Sequence, residues 1–162
     1  RRLPASSRIR IVQFGGLIDE FMKTELEQEV RENSRFRWLG DRPRSEVLST
    51  LARASLFVSS SRHEGGANAV SEALAIGIPI LTTRIPGTLG LLGTDYPGTF
   101  EVEDTQGLAD LMLRAETDAD FYGTLEKACQ GRAYLTDPGQ ELESWRELLG
   151  EIRSDAPASQ PG

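Results

Sequence analysis

Apolar and polar positions alternate along this chain in two periods, and the switch between them predicts its elements. "IRIVQF" (Ile9–Phe14) is a β-branched run closed by Gly15 and Gly16, which reads as a strand. From Ile18 to Asn33 the apolar residues Ile18, Phe21, Met22, Leu26 and Val30 recur at steps of three and four, as in a helix with one apolar face. "FRWL" (Phe36–Leu39) is a short strand ended by Gly40. Pro43 then suits the first turn of a helix with Val47, Leu48 and Leu51 on its apolar side. The alternation continues with a strand at Ser55–Ser59, a helix at Asn68–Ile76 and a strand at Pro79–Thr83. After a loop rich in Gly and Pro, "TFEV" (Thr99–Val102) is expected as a further strand. Helices are expected near Thr105–Ala115, Ala119–Ala133 and Pro138–Ile152. Cys129 falls in line with Leu125 and Phe121 as core, and Trp145 and Leu148 are expected to dock the last helix.

Strands alternating with helices imply an α/β fold: a mostly parallel, doubly wound sheet with helices on both faces. Ligands of such sheets sit beyond the carboxyl ends of the strands. The segments after Phe14, Leu39, Ser59 and Thr83 are therefore the candidate binding loops.

Length and composition narrow this picture. A chain of 162 residues suits one domain, here residues 1–152, which can bury roughly 70% of its unfolded surface. Residues 153–162 are polar and Pro-rich and are expected to be a disordered tail. The net charge of −7, without a basic stripe, argues against a nucleic-acid partner. The acidic residues of Asp19–Glu32 and Glu141–Glu151 read as solvated helix surface. One cysteine, Cys129, gives neither an internal disulfide nor a cysteine-cluster metal site. No apolar run approaches the ~18 residues of a membrane span, so no transmembrane segment is expected and the cytoplasm is the default address. The chain enters a strand almost at once, which suggests that the front of a longer protein is missing.

The candidate chemistry lies in "SSSRHEGGANAVSEALAIGIPIL" (Ser59–Leu81). Glu64 falls just past a strand end, in the crevice position. Gly65 and Gly66 permit close backbone approach and a sharp turn into the helix. Amides from Gly65 to Asn68 then face outward at the positive end of the helix dipole, a setting that favours phosphate oxygens. With a rise of about 1.5 Å per residue, Glu72 stands roughly 6 Å beyond Asn68. Asn68, Ser71, Glu72 and Ala75 share one face; Ala69, Val70, Ala73 and Leu74 share the other, which packs on the sheet. This geometry suits a nucleotide-sugar: helix-end amides on the diphosphate, Glu72 on the ribose hydroxyls, Glu64 on the sugar. A Gly-Gly pair before a helix and a helical glutamate are also ordinary surface features. Spacing alone leaves both readings open.

The wider string "ASLFVSSSRHEGGANAVSEALAIGIPILTTRIPG" resembles the diagnostic segment of the retaining family-four GT-B glycosyltransferases. Ser61, Glu64, Gly65, Glu72, Ala73, Gly77 and Pro79 fall in its pattern, and the likeness runs from about Ile9 to Ile152. Within that superfamily, "RIPGTLGLLGTDYPGTFEVEDTQGLADLMLRAETDADFY" and "ESWRELL" resemble the bacterial selenosugar synthases of selenoneine biosynthesis, most particularly at Gly90–Gly98. Leu91 and Leu92 stand where the wider superfamily usually has a glutamate, a departure that fits the narrower family.

The resemblance implies the carboxyl-terminal, donor-binding half of a glycosyltransferase with a Rossmann-like sheet. Glu64, the catalytic candidate, would contact the sugar hydroxyls. Gly65, Gly66 and Ala67 would offer amides to the diphosphate or sugar, with Asn68 beside them, and Glu72 would hold the ribose. Leu39 and Arg42 would border the base. No cofactor or metal is implied, since amides and cations neutralise the leaving diphosphate. The implied reaction joins selenophosphate to the anomeric carbon of a UDP-sugar such as UDP-N-acetylglucosamine, expels UDP and yields a selenosugar after loss of phosphate. An ordinary hexosyltransferase with a hydroxyl acceptor is the alternative, and a non-catalytic nucleotide-sugar-binding module is another. The family's Arg/Lys phosphate clamp and its amino-terminal domain, which carries acceptor contacts, have no counterpart here, so the chain alone is expected to be inactive.

Other signals are weaker. "DAD" (Asp118–Asp120) matches a metal-binding motif of the other glycosyltransferase fold, but it opens a helix, where acidic residues cap amides instead. His63 adjoins Glu64 and suits either a substrate contact or loop packing. Arg62 and Arg84 end neighbouring strands and suit an anionic acceptor or phosphate, with a local carboxylate as the competing partner of Arg84. Gly87, before Thr88, is expected to place a further helix-end amide near the ligand.

Overall fold

A computed structural model describes residues 2–17, 20–64, 67–137, 139 and 142–147. In chain order its elements are β1 (Ile11–Gln13), α1 (Glu20–Glu32), β2 (Phe36–Trp38), α2 (Arg44–Leu51), β3 (Phe57–Ser59) and α3 (Asn68–Ile76). There follow β4 (Ile80–Thr83), α4 (Pro86–Leu92), β5 (Thr99–Phe100), α5 (Thr105–Thr117), α6 (Ala119–Gln130) and a 3-10 turn at Ala133–Thr136. Residues 142–147 are helical.

All the pairings are parallel, as the alternation predicts, but the strands divide into two sheets, β1-β2 and β3-β4-β5. The backbone ahead of β1 is committed elsewhere. The Arg8 amide donates to Glu116 Oε1 on α5 at 2.6 Å, and the Ile9 amide turns back to Ser7 Oγ at 3.3 Å. Those residues are unavailable to a ladder, so the strand expected from Ile9 begins at Ile11.

The core is built on β4, whose four residues are all buried between β3 and β5. Helix α3 lays Val70, Ala73 and Leu74 onto it, and α6 adds Phe121, Leu125 and Cys129 at one-turn spacing. The small Ala73 lets α3 approach closely. Ala69 is exposed, a correction to the expected packing face, whose buried members are Val70, Ala73 and Leu74.

Four further expectations are corrected. On α1, Met22 and Leu26 are half-buried, while Phe21 is 72% exposed and Val30 is exposed as well, so the apolar stripe is wider than the surface that covers it. The segment expected as a Gly- and Pro-rich loop contains α4, started by Pro86 at a position where the missing N–H costs nothing. It is held by Thr88, whose hydroxyl donates to Thr83 O at 2.7 Å. The last strand stops at Phe100, because Glu103 turns the chain with φ +67°. Trp145 is exposed rather than docked, and Leu148 lies outside the described residues, as does the tail. No described helix is long and apolar enough to cross a membrane.

Candidate functional site

Within each sheet the strands are parallel, so the carboxyl ends of each sheet's strands share an edge. The loops after β1 and β2 are tied to each other there. The Leu39 amide donates to Gln13 O at 2.9 Å, Gly15 donates to Gly40 O at 3.1 Å, and Trp38 Nε1 donates to Gly15 O at 2.9 Å. Gly15 (φ +121°) and Gly40 (φ +65°) adopt conformations that side chains disfavour, which lets the loops cross tightly. Leu39 is half-buried beneath them. Arg42 is exposed and pairs along its own segment with Glu46 at 3.8 Å.

The loop after β3 presents Glu64. Its Oε1 accepts from the Ser61 hydroxyl and stands 3.5 Å from the Ser59 hydroxyl, while Oε2 is buried and has no partner among the described residues. Ser61 is itself anchored, because its carbonyl accepts from Thr83 Oγ1 at 2.6 Å. The first turn of α4 presses on the same point: a Cβ at Gly87 would stand 2.8 Å from the Glu64 carbonyl oxygen. Gly87 thus serves close approach between the start of α4 and the loop after β3. Gly65 and Gly66 lie outside the described residues.

Helix α3 starts behind this carboxylate. Its N-cap is Ala67, buried and with no side-chain acceptor, and Asn68 follows it exposed. The first amides of a helix have no intrahelical partner, and the N-cap Ala67 has no side-chain oxygen to offer them. One turn on, Glu72 is mostly buried and is not a free acid. Arg44, the first residue of α2, donates from Nε to Glu72 Oε1 at 2.8 Å and holds the same oxygen with Nη2 at 2.7 Å. The spacing reading missed Arg44. Its one local signal is a cation at a helix start, where the dipole disfavours positive charge.

The remaining candidates sit at the outer edge. Arg62 pairs with Glu103 at 2.8 Å, and Arg84 pairs with Glu101 at 3.3 Å while donating to Thr99 Oγ1 at 2.6 Å. The carboxylate partner named for Arg84 is therefore present, and Arg62 has one too. His63 is exposed. Asp118 caps α6, accepting from the Phe121 amide at 2.9 Å; that hydrogen bond holds its carboxyl below the usual range. Among the described residues no three His, Cys, Asp or Glu side chains converge as a metal site.

The chain matches the family described as Glycosyl transferases group 1 over residues 2–133. It is 34% identical over 77 residues to TuaC of Bacillus subtilis (strain 168), a glycosyltransferase assigned to teichuronic acid biosynthesis; the match covers 48% of this chain and 20% of TuaC. It is 27% identical over 84 residues to glycosyltransferase 1 domain-containing protein 1 of Xenopus tropicalis, covering 52% of this chain and 24% of that protein. In structure it is similar to Anabaena HepE in complex with UDP, with a TM-score of 0.78 at 20% identity, covering 92% of this chain and 42% of HepE. The HepE complex with UDP-glucose gives a TM-score of 0.75 at 22% identity. The chain therefore spans under half the length of these relatives. Its parallel α/β fold is that of the GT-B glycosyltransferases, and the chain belongs to the group 1 glycosyl transferases.

Proposed function

We propose that this chain is the donor-binding half-site of a glycosyltransferase that takes a UDP-sugar. The observation that carries the reading is Glu64: one carboxylate oxygen is held by serine hydroxyls, and the other is buried with no partner among the described residues, just ahead of a helix whose N-cap is Ala67. A buried polar atom without a partner calls for an explanation, and a sugar hydroxyl supplies the missing donor. In this reading the diphosphate lies at the amides that begin α3, including Ala67 and Asn68, with Gly65 and Gly66 lending theirs. Glu72 accepts from the ribose hydroxyls, and Leu39 and Arg42 border the base. As the bond from the anomeric carbon to the diphosphate breaks, charge grows on the leaving phosphate. The helix dipole and open amides stabilise that charge without a metal. HepE has been solved with UDP and with UDP-glucose, which is compatible with this placement.

Calorimetric titration tests it. UDP and UDP-N-acetylglucosamine should both bind weakly to the chain, the sugar nucleotide more tightly, and a chelator should change neither. Glu64→Gln should remove most of the sugar nucleotide's advantage while sparing UDP. Equal loss for both ligands, or no loss, counts against Glu64 as the sugar contact.

The finer reading makes selenophosphate the acceptor, near Arg62, His63 and Arg84. Its support is the resemblance at Gly90–Gly98. Several residues of that run also have packing duties: Gly93 has φ +82°, Tyr96 is buried, and a Cβ at Gly98 would clash with the Ile80 carbonyl oxygen. Product analysis decides the acceptor, using a polypeptide with a second α/β domain ahead of residue 1. Release of UDP from UDP-N-acetylglucosamine that depends on selenophosphate supports it. Release that depends on a hydroxyl acceptor favours an ordinary hexosyltransferase, and binding without turnover favours a binding module.

A further inference from the structure

We infer that Arg44 is a positioning residue for the nucleotide: it fixes the Glu72 carboxylate so that Oε2 meets the ribose hydroxyls. The inference rests on the reading of Glu72 as the ribose contact, and it adds a residue that neither spacing nor the family pattern assigned. Both guanidinium contacts, at 2.8 Å from Nε and 2.7 Å from Nη2, fall on the one oxygen Oε1. A carboxylate offers about four lone-pair sites on two oxygens, so a side chain anchored through Oε1 still presents Oε2 as an acceptor. Glutamate has three rotatable bonds, and holding one rotamer before the ligand arrives removes an ordering cost from binding.

Three observations separate this pair from an ordinary surface ion pair. Most such pairs contribute little, because both partners are solvated and mobile. Here Arg44 is 76% exposed but Glu72 only 27%, so the carboxylate is the half of the pair that is costly to leave without a partner. The pair also joins α2, which follows the β1-β2 sheet, to α3, which belongs to the β3-β4-β5 sheet. Between those sheets no strand ladder runs among the described residues. Finally, Arg44 is the first residue of α2, where a positive charge opposes the macrodipole and Glu46 in the same turn is the residue type that suits it. A residue that breaks a local rule is expected to serve something other than its own helix.

The pair also sets a geometric relation between base and ribose. Leu39 and Arg42 lie in the loop that leads into Arg44, so the segment proposed to border the base runs directly into the residue that grips the ribose acid. A nucleoside seated against this loop would therefore find its diol acceptor in place.

The experiment compares UDP with 2′,3′-dideoxy-UDP, which shares base and diphosphate but lacks both hydroxyls. Dissociation constants are measured for wild type, Glu72→Ala, Arg44→Ala and Arg44→Lys, with melting temperature as the folding control. Wild type should prefer UDP by about tenfold or more, as expected for hydroxyls bonded to a carboxylate. Arg44→Ala should cut that preference about three- to tenfold, leave dideoxy-UDP binding unchanged and barely move the melting temperature. Arg44→Lys, with one point contact instead of a fork, should fall between the two. Equal weakening of both ligands by Arg44→Ala would place Arg44 on base or phosphate and overturn the inference. An unchanged preference overturns it as well, and tighter UDP binding would make the pair a lock on the empty site. A preference that is absent in wild type, or that survives Glu72→Ala, overturns instead the reading of Glu72 on which the inference rests.

Discussion

At the start of α6 the carboxylate of Asp118 accepts from the Phe121 amide at 2.9 Å, and at the start of α5 Asp104 does the same for Gly107 at 2.8 Å. At the start of α3 the equivalent residue is Ala67, which has no acceptor to give. Two helices with ordinary structural work are closed by their own acids; the one facing the crevice is left open, with its nearest carboxylate, Glu64, tied back to Ser61. The starts of α2 and α4, at Pro43 and Ile85, lack a side-chain cap as well, so the α3 start stands apart through the buried Glu64 carboxylate that precedes it. Asp118 also carries Arg114 at 3.3 Å, and that guanidinium stacks over the Phe121 ring at 4.1 Å, so the α6 start is a closed local network. Filling the α3 start with an acid would make it resemble α6 and should cost the protein its ligand.

The largest expected effect is therefore Asn68→Asp. The added charge complements the α3 dipole and should leave the melting temperature unchanged or slightly raised, yet it repels a diphosphate at short range. UDP affinity by calorimetry should drop roughly tenfold or more. Next comes Gly87→Ala, whose methyl would have to displace the Glu64 carbonyl from 2.8 Å. It should weaken UDP-N-acetylglucosamine severalfold and UDP less, because Glu64 is the group moved. Asp118→Ala should lower the melting temperature by a few degrees through the lost cap, with UDP affinity unchanged. Equal loss of affinity in Asp118→Ala and Asn68→Asp would erase the distinction between the two helix starts.

The smallest effect is a pH dependence. The Phe121 amide hydrogen bond, with Arg114 beside it, holds the Asp118 carboxyl below its ordinary value. A carboxyl depressed in the folded state contributes stability above its unfolded pKa and loses it as pH falls through the folded one. The difference in melting temperature between wild type and Asp118→Ala should thus be constant near neutrality. It should shrink below about pH 4, where the unfolded carboxyl begins to protonate.

Much of this architecture was legible in the sequence because local pattern and tertiary role agreed. Helix α3 matches its predicted span, and Phe121, Leu125 and Cys129 are buried as their one-turn spacing requires. Where the two disagreed, pattern failed. Helix α4 contains Pro86, Gly87 and Gly90, a composition that reads as loop, and it is held by Thr88 and the buried Leu92. The late start of β1 at Ile11 follows from Glu116 capturing the Arg8 amide from 108 positions away. The site divides in the same manner. Glu64 and Glu72 stand out because both lie on one strand-turn-helix unit. Arg44 does not, because it meets Glu72 from 28 positions earlier through a fold that spacing cannot show.

One feature of the β3-β4-β5 sheet bears on how the chain behaves in a crowded solution. On the β5 side of β4, Thr82 and Arg84 donate to Gly98 and Phe100 at 2.9 and 2.8 Å, but β5 is too short to reach Ile80. The Tyr96 hydroxyl stands in for the absent strand, receiving the Ile80 amide at 3.2 Å and donating to the Ile80 carbonyl at 2.7 Å. A phenol thereby plugs a gap that would otherwise be an open seam in the sheet. Stretches of unpaired strand edge invite pairing with other chains. With both backbone groups of Ile80 occupied by one buried side chain, this stretch of the central strand offers no free pair of groups to another chain.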